Sequence, residues 1–508
     1  MNGGVKRLEI YWKGKIEMSS HSNTRSQVVS GLLWKFAESM CADVVSFVVS
    51  VILARMLLPS DYGEIALVNV FIVLANVFVV NGLGTALVQK KNADNVDFSS
   101  VFYFNSALSL VLYGVLFAAS PSIANFYKMP HLKWVLRVLA TKVPIAAINS
   151  VQNAYISREM IFRKSFWVTL IGTVISAFVG IFMAYTGYGV WALVAQVLTN
   201  CVIDTILLFV MIRWFPSRCF SFERLKGLID YGWKILVSSL IKVGYDQISS
   251  LVIGRLYTGE DLAYYSRGKK YPDMVVADIN STISTVLFPA MAKNQSDMER
   301  VKAITRRSMK TSTFVLTPLL IGLSALAEPF IRWMLTEKWL PCVPYLRVCC
   351  IYYMMQPVQT ANLQAIRAIG RSDIILKLDI VKRGGGLLLL LLMMNHGVMG
   401  VALAPVGMSI LATLINIPPN KKYLGYSYLE QFKDVLPNFA ISAIMGILVY
   451  YESNYLMQMG LGDFIVLVIG FVSGACIYIV SAVILRIESM QYLWDILLRY
   501  IKKGKVKK

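Results

Sequence analysis

Eleven ionisable side chains lie within otherwise apolar stretches: Lys35, Glu38, Asp43, Lys142, Asp204, Lys242, Asp246, Asp278, Asp379, Lys382 and Arg383. A charge at the centre of a bilayer costs at least ~2.5 kcal/mol on insertion scales, so each is a candidate for carrying or balancing charge across a membrane. Spacing sorts them. Lys35 lies about 7 Å into its stretch, where its long stem can reach back to the interface, and Glu38 three residues on is placed to pair with it. Asp43 lies about 20 Å along, too deep for its short side chain to reach the interface, and needs protein, water or a cation around it. Lys242 and Asp246, four residues apart, can pair with each other or serve transport. Lys382 and Arg383 follow Asp379 by three and four residues, so one can pair with it and leave the other available to an anion.

The elements that position these groups follow from hydropathy. The chain has 508 residues, 56% hydrophobic and 16% charged, with a mean hydropathy of +0.59. That is the composition of an all-α polytopic membrane protein. Runs of about 20 apolar residues, enough to cross ~30 Å of hydrocarbon, give about 14 candidate spans. Their limits are 30–54, 62–81, 101–120, 134–156, 166–185, 189–212, 231–254, 272–291, 311–331, 345–366, 373–393, 398–417, 435–451 and 464–485. The eighth is the most polar, with Asp278 and Asn280 near its middle, and reads as a span or as a buried or broken helix.

With the N-terminus placed inside, most of the 50 basic residues fall in segments expected to be cytoplasmic, which puts both termini there. The same bias accounts for the net charge of +21, leaving no soluble basic domain for nucleic acid; the basic loops suit anionic lipid headgroups. The first 17 residues lack the apolar core of a signal peptide and read as dispensable, with Met18 as an alternative start. The seven cysteines have neither metal nor redox spacing and read as packing residues. No GxxxxGK[ST] loop occurs, and His21, His131 and His396 lie in tails or loops, so nucleotide hydrolysis, a histidine-based triad and a histidine metal site find no residues. No cofactor is expected. A membrane glycosyltransferase or ligase would need a large external loop, and the longest expected here is about 20 residues. "GGGLLLLLLMM" from Gly384 reads as close helix packing or a hinge.

The chain also contains itself twice. "ARMLLPSDYGEIA" after the first span matches "GRLYTGEDLAYYS" after the seventh, setting Arg55 against Arg255 and Asp61 against Asp261. Trp34-Lys35 matches Trp233-Lys234, Ala86 matches Ala290, "LRV" recurs at 136 and 346, and Arg158 matches Arg367. Offsets near 200 residues in preserved order imply two six-helix lobes of the same topology, an arrangement suited to alternating access. The expected organisation is an N-terminal segment (1–29), a first lobe (30–212), a cytoplasmic linker (213–230) suited to an interfacial helix, a second lobe (231–417), two further helices (418–485) and a basic tail (486–508). The polar seventh span, with Lys242 and Asp246, should line the cavity.

"SGLLWKFAE", "ILARMLLPSDYGEIAL", "GLGTALVQKKN" and "YISREMIFRKSF" resemble Wzx-type polysaccharide exporters, the lipopolysaccharide and teichuronic-acid exporters of the multidrug/oligosaccharidyl-lipid/polysaccharide superfamily. The resemblance runs from about Ser26 through the twelfth span. It implies a flippase of the bacterial inner membrane that moves an oligosaccharide on undecaprenyl pyrophosphate outward, with a polysaccharide polymerase and chain-length machinery as partners and H⁺ or Na⁺ as coupling ion. Lys35, Lys142, Lys242, Lys382 and Arg383 could neutralise such an anionic cargo, and Asp43 or Asp246 could release those cations or bind the coupling ion. The alternative within the superfamily is a multidrug/cation antiporter, which calls for a more acidic cavity.

Overall fold

The computed structural model describes residues 30–31, 33–80, 83–90 and 93–494. The Met18 start, His21 and most of the basic tail lie outside them, as does the side chain of Asp278. Among the described residues there is helix and connecting turn, and no strand.

The chain divides into two compact units, Met1–Leu251 and Val252–Lys508. The first holds α1 (Leu33–Met56), α2 (Pro59–Val80), α3 (Leu83–Gln89), α4 (Asn95–Phe126), α5 (Leu132–Leu139), α6 (Lys142–Glu159), α7 (Phe162–Tyr185) and α8 (Val190–Ile212). The boundary falls near the C-terminal end of α9 (Phe222–Leu256). The second holds α10 (Gly259–Ala292), α11 (Met298–Ala325), α12 (Ala327–Leu335), α13 (Val343–Met354), α14 (Gln356–Ala368), α15 (Ser372–Met393), α16 (Gly397–Leu424), α17 (Tyr428–Gln458) and α18 (Asp463–Ile484).

Helices lie over all fourteen expected stretches, but among the described residues eleven are long and apolar enough to cross a bilayer, or twelve if α11 and α12, bent by 70° at their break, form one span. Two segments fall short for different reasons. The tenth is split into α13 and α14 just before Pro357, and α15 carries Asp373, Lys377, Asp379, Lys382 and Arg383. The eighth stretch is an unbroken helix that starts earlier than expected, because Thr258 and Asp261 form a capping box at the head of α10.

The repeated motif has a local cause. In the first unit Asp61 accepts from the backbone N–H of Leu58 at 3.1 Å, and in the second Asp261 accepts from the N–H of Thr258, also at 3.1 Å. Each Asp satisfies an otherwise orphaned amide at a helix start.

Lipid tails are as apolar as the side chains they touch, so lateral cohesion comes from close packing and from polar bonds between helices. Asn105 on α4 donates to Val79 O at 3.1 Å and to Ser150 Oγ on α6 at 3.3 Å, and Asn438 on α17 donates to Thr313 Oγ1 on α11 at 2.9 Å. Such bonds are worth about 0.6 kcal/mol each. "GGG" continues α15 as helix, and Gly385 lets Met408 of α16 come to 3.2 Å from where a Cβ would stand.

The linker differs from an interfacial helix. Residues 213–221 are not helical and lie against α4, with the N–H groups of Ser217 and Ser221 each 2.9 Å from the hydroxyls of Ser99 and Ser100. Trp214 is buried between Phe98 and Tyr155 and donates to Asn95 Oδ1 at 3.0 Å. This aromatic pocket holds Trp214 buried against α4 and α6, and residues 222–230 form the first turns of α9.

Candidate functional site

In the first unit α1, α6, α7 and α8 enclose a polar pocket of about 200 Å³ whose lining includes Lys35, Glu38, Asn149, Asn153, Thr169 and Asp204. Glu38 is 8% exposed. Its Oε1 accepts from Lys35 Nζ at 3.0 Å, from Ser165 Oγ at 3.1 Å and from Thr169 Oγ1 at 3.2 Å, while Oε2 is buried with no hydrogen-bond partner. Asp204 Oδ1 is likewise buried and unpartnered. It reaches the pocket because α7 carries Gly172, where a Cβ would stand 1.9 Å from that oxygen.

Two carboxylates face one ammonium among the lining residues, which leaves a negative charge uncompensated. A buried unpaired charge is costly, so the pocket suits a proton or a small cation. At about 30 Å³ per water it has room for several waters and an ion, and not for a sugar-bearing lipid. Among the described residues no three His, Cys, Asp or Glu side chains converge as a metal site.

In the second unit Lys382 Nζ pairs with Asp379 Oδ1 at 2.9 Å. The neighbouring Arg383 is half-buried, and its Nη1 is buried without a hydrogen-bond partner. A guanidinium left short of an acceptor, beside a cation already paired within the charged half of α15, fits an anion presented from outside the chain.

The other expected residues lie elsewhere. Asp43 is on an exposed face of α1 and does not line the pocket. Lys142 is the half-buried first residue of α6, at the break after α5. Lys242 and, one turn later, Asp246 are both exposed on α9; the most apolar stretch of Gly232–Leu256 has no buried residue.

Asn149, Asn153, Ser165 and Thr169 carry no signal in the sequence, being ordinary polar residues until folding brings them into one pocket with Glu38. The buried Arg267 and the half-buried Lys269 and Lys270 lie inside α10 but ahead of its expected start at 272, and so outside the stretches expected to span. The capping box at Thr258 was the signal for that earlier start.

Two units of long apolar helices, each with ionisable groups set among them, define a multi-pass membrane protein. The chain belongs to the polysaccharide biosynthesis protein family, whose profile matches residues 52–344. It is 26% identical over 462 residues to the teichuronic acid biosynthesis protein TuaB of Bacillus subtilis, covering 89% of this chain and 94% of that one. It is 21% identical over 438 residues to the lipopolysaccharide biosynthesis protein WzxC of Escherichia coli, covering 83% and 88%. In fold it is similar to an inward closed conformation of the lipid II flippase MurJ, with a TM-score of 0.72, 16% identity and coverage of 89% and 98%. The Wzx-type resemblance read from the motifs is thereby borne out.

Proposed function

We propose that this protein is a secondary transporter that moves a lipid-linked oligosaccharide, carried on undecaprenyl pyrophosphate, across the bacterial inner membrane for cell-surface polysaccharide synthesis. Fourteen crossings with both termini cytoplasmic complete the proposed topology. The family and its relatives support the cargo class. The single observation in the chain that carries the reading is Arg383, whose buried Nη1 lacks an acceptor while Lys382 is engaged by Asp379. A pyrophosphate crossing low dielectric needs such a group. Glu38 and Asp204 take the coupling ion, H⁺ or Na⁺, in their pocket; Asp43, Lys142, Lys242, Asp246 and Asp278 remain candidates along the path. The test is surface polysaccharide in cells carrying Arg383→Gln at matched protein level: loss supports the reading, and full export overturns it.

The acidity of the Glu38 and Asp204 pocket is the observation that favours a multidrug/cation antiporter. Drug resistance conferred by the protein, lost in Asp204→Asn and kept in Arg383→Gln, would establish that alternative. Neighbouring genes for glycosyltransferases and a polymerase would favour the flippase.

A further inference from the structure

A second charged cavity, of about 350 Å³, opens where the first turns of α11 meet the short helix at 488–494 that follows α18. Its charged lining is Arg306, Arg307, Lys310 and Glu488, with Thr311 and Tyr492 beside them. Both flanking segments adjoin spans, so the cavity lies at the level of lipid headgroups.

The charges are unequally engaged. Arg306 holds Asp434 through Nε at 2.6 Å and Nη2 at 2.8 Å, and Lys310 reaches the same carboxylate at 3.0 Å. Tyr426 donates to it at 2.8 Å, and the Asp434 side chain is 3% exposed. One buried carboxylate thus serves two cations. The second acid, Glu488, meets Lys310 at 2.6 Å with its own side chain 76% exposed. An ion pair with so exposed a partner is worth little and is readily exchanged. Arg307 has no carboxylate within ion-pair distance among the described residues, and its guanidinium lies 4.5 Å over the Tyr492 ring. Three cations therefore face two acids, one of them weakly held.

We propose that this cavity binds the phosphodiester of an anionic phospholipid headgroup, with Arg307 and Lys310 as its ligands and Glu488 as the carboxylate it displaces. The proposal does not depend on which cargo the protein carries. Basic pockets between spans are suited to such headgroups, because the low dielectric beside them strengthens each contact and the lipid supplies the acid the chain leaves out.

The full-length protein, purified in mild detergent, is titrated with short-chain phosphatidylglycerol, short-chain phosphatidylcholine or inorganic phosphate, and bound ligand is counted by native mass spectrometry. Phosphatidylglycerol is expected to bind in preference to phosphatidylcholine. Arg307→Gln is expected to weaken phosphatidylglycerol roughly fivefold, the effect of one basic group at an anionic surface. Glu488→Gln is expected to strengthen it by a similar factor, because it frees Lys310, and Lys433→Gln, on an exposed face of α17, to leave it unchanged. Weaker binding in Glu488→Gln, unchanged binding in Arg307→Gln, or an equal loss in Lys433→Gln would overturn the site. Inorganic phosphate binding as well as phosphatidylglycerol would overturn the lipid as its source.

Discussion

Ser165 on α7 donates to the Glu38 carboxylate on α1 at 3.1 Å. Thr169 and Lys35 donate to the same oxygen, Oε1, while Oε2 is buried without a partner in a residue that lines the same pocket as Asp204. The prediction is that Glu38→Gln and Asp204→Asn each reduce export of surface polysaccharide by at least about tenfold at matched protein level, because neither amide takes up a coupling proton or balances a cation. Ser165→Ala removes one bond to a charged acceptor, about 1.5 kcal/mol, and should give a smaller loss. Export equal to wild type in both carboxylate variants would remove the ion site.

Gly172 makes room for Asp204. A Cβ there would stand 1.9 Å from Oδ1, so Gly172→Ala must displace the carboxylate or part α7 from α8. Overpacking of this kind costs about 1 to 3 kcal/mol. The expected result is a lower thermal midpoint together with reduced export. Gly172→Ala combined with Asp204→Ala should regain much of the midpoint and none of the export, and a midpoint unmoved in the single variant would contradict the packing account.

Two of the motifs that carried the family resemblance touch. Arg158, from "YISREMIFR", donates through Nη1 to Leu87 O at 3.2 Å and Lys90 O at 2.6 Å, closing the end of α3 in "LGTALVQKK". Arg158→Ala leaves these carbonyls without that donor and should cost about 1 to 3 kcal/mol, read as a lower midpoint in thermal unfolding. An unchanged midpoint would show that water replaces the guanidinium.

The helix pattern was legible because hydrophobic length is a physical requirement of the bilayer: the stretches expected at 166–185 and 189–212 are α7, Phe162–Tyr185, and α8, Val190–Ile212. The choice between Glu38 and Asp43 was not. Depth singled out Asp43, but burial depends on which face of α1 meets α7, and an almost uniformly apolar helix does not encode that face. The polar partners sit more than a hundred residues away. For Lys382 and Arg383 spacing went further: it showed that one cation would pair with Asp379, and the fold determined which.

The link between α4 and α9 should depend on pH. Arg224's guanidinium beside Asp94, with the backbone N–H groups of Asp97 and Val96, holds this carboxyl below its ordinary 3.8. The folded state therefore binds its proton less readily than the unfolded one. The stabilisation is complete above the ordinary carboxylate range and falls away as pH drops through the lowered value. Protection of the Val96 and Asp97 amides, corrected for the intrinsic pH dependence of exchange, should fall in the wild type as pH drops below the ordinary carboxylate range, and Asp94→Ala should lack that protection already at neutral pH. Matching profiles in the two proteins would show that the cap contributes nothing.

The most direct measurement is reorientation of an undecaprenyl-pyrophosphate oligosaccharide in proteoliposomes of the purified protein, followed by the access of an added glycosidase to the sugar. The wild type should expose the oligosaccharide faster when an H⁺ or Na⁺ gradient is imposed. Arg383→Gln should fall to the rate of empty vesicles, and Glu38→Gln should lose the response to the gradient. A wild-type rate no faster than empty vesicles, or an Arg383→Gln rate equal to the wild type, would contradict the account.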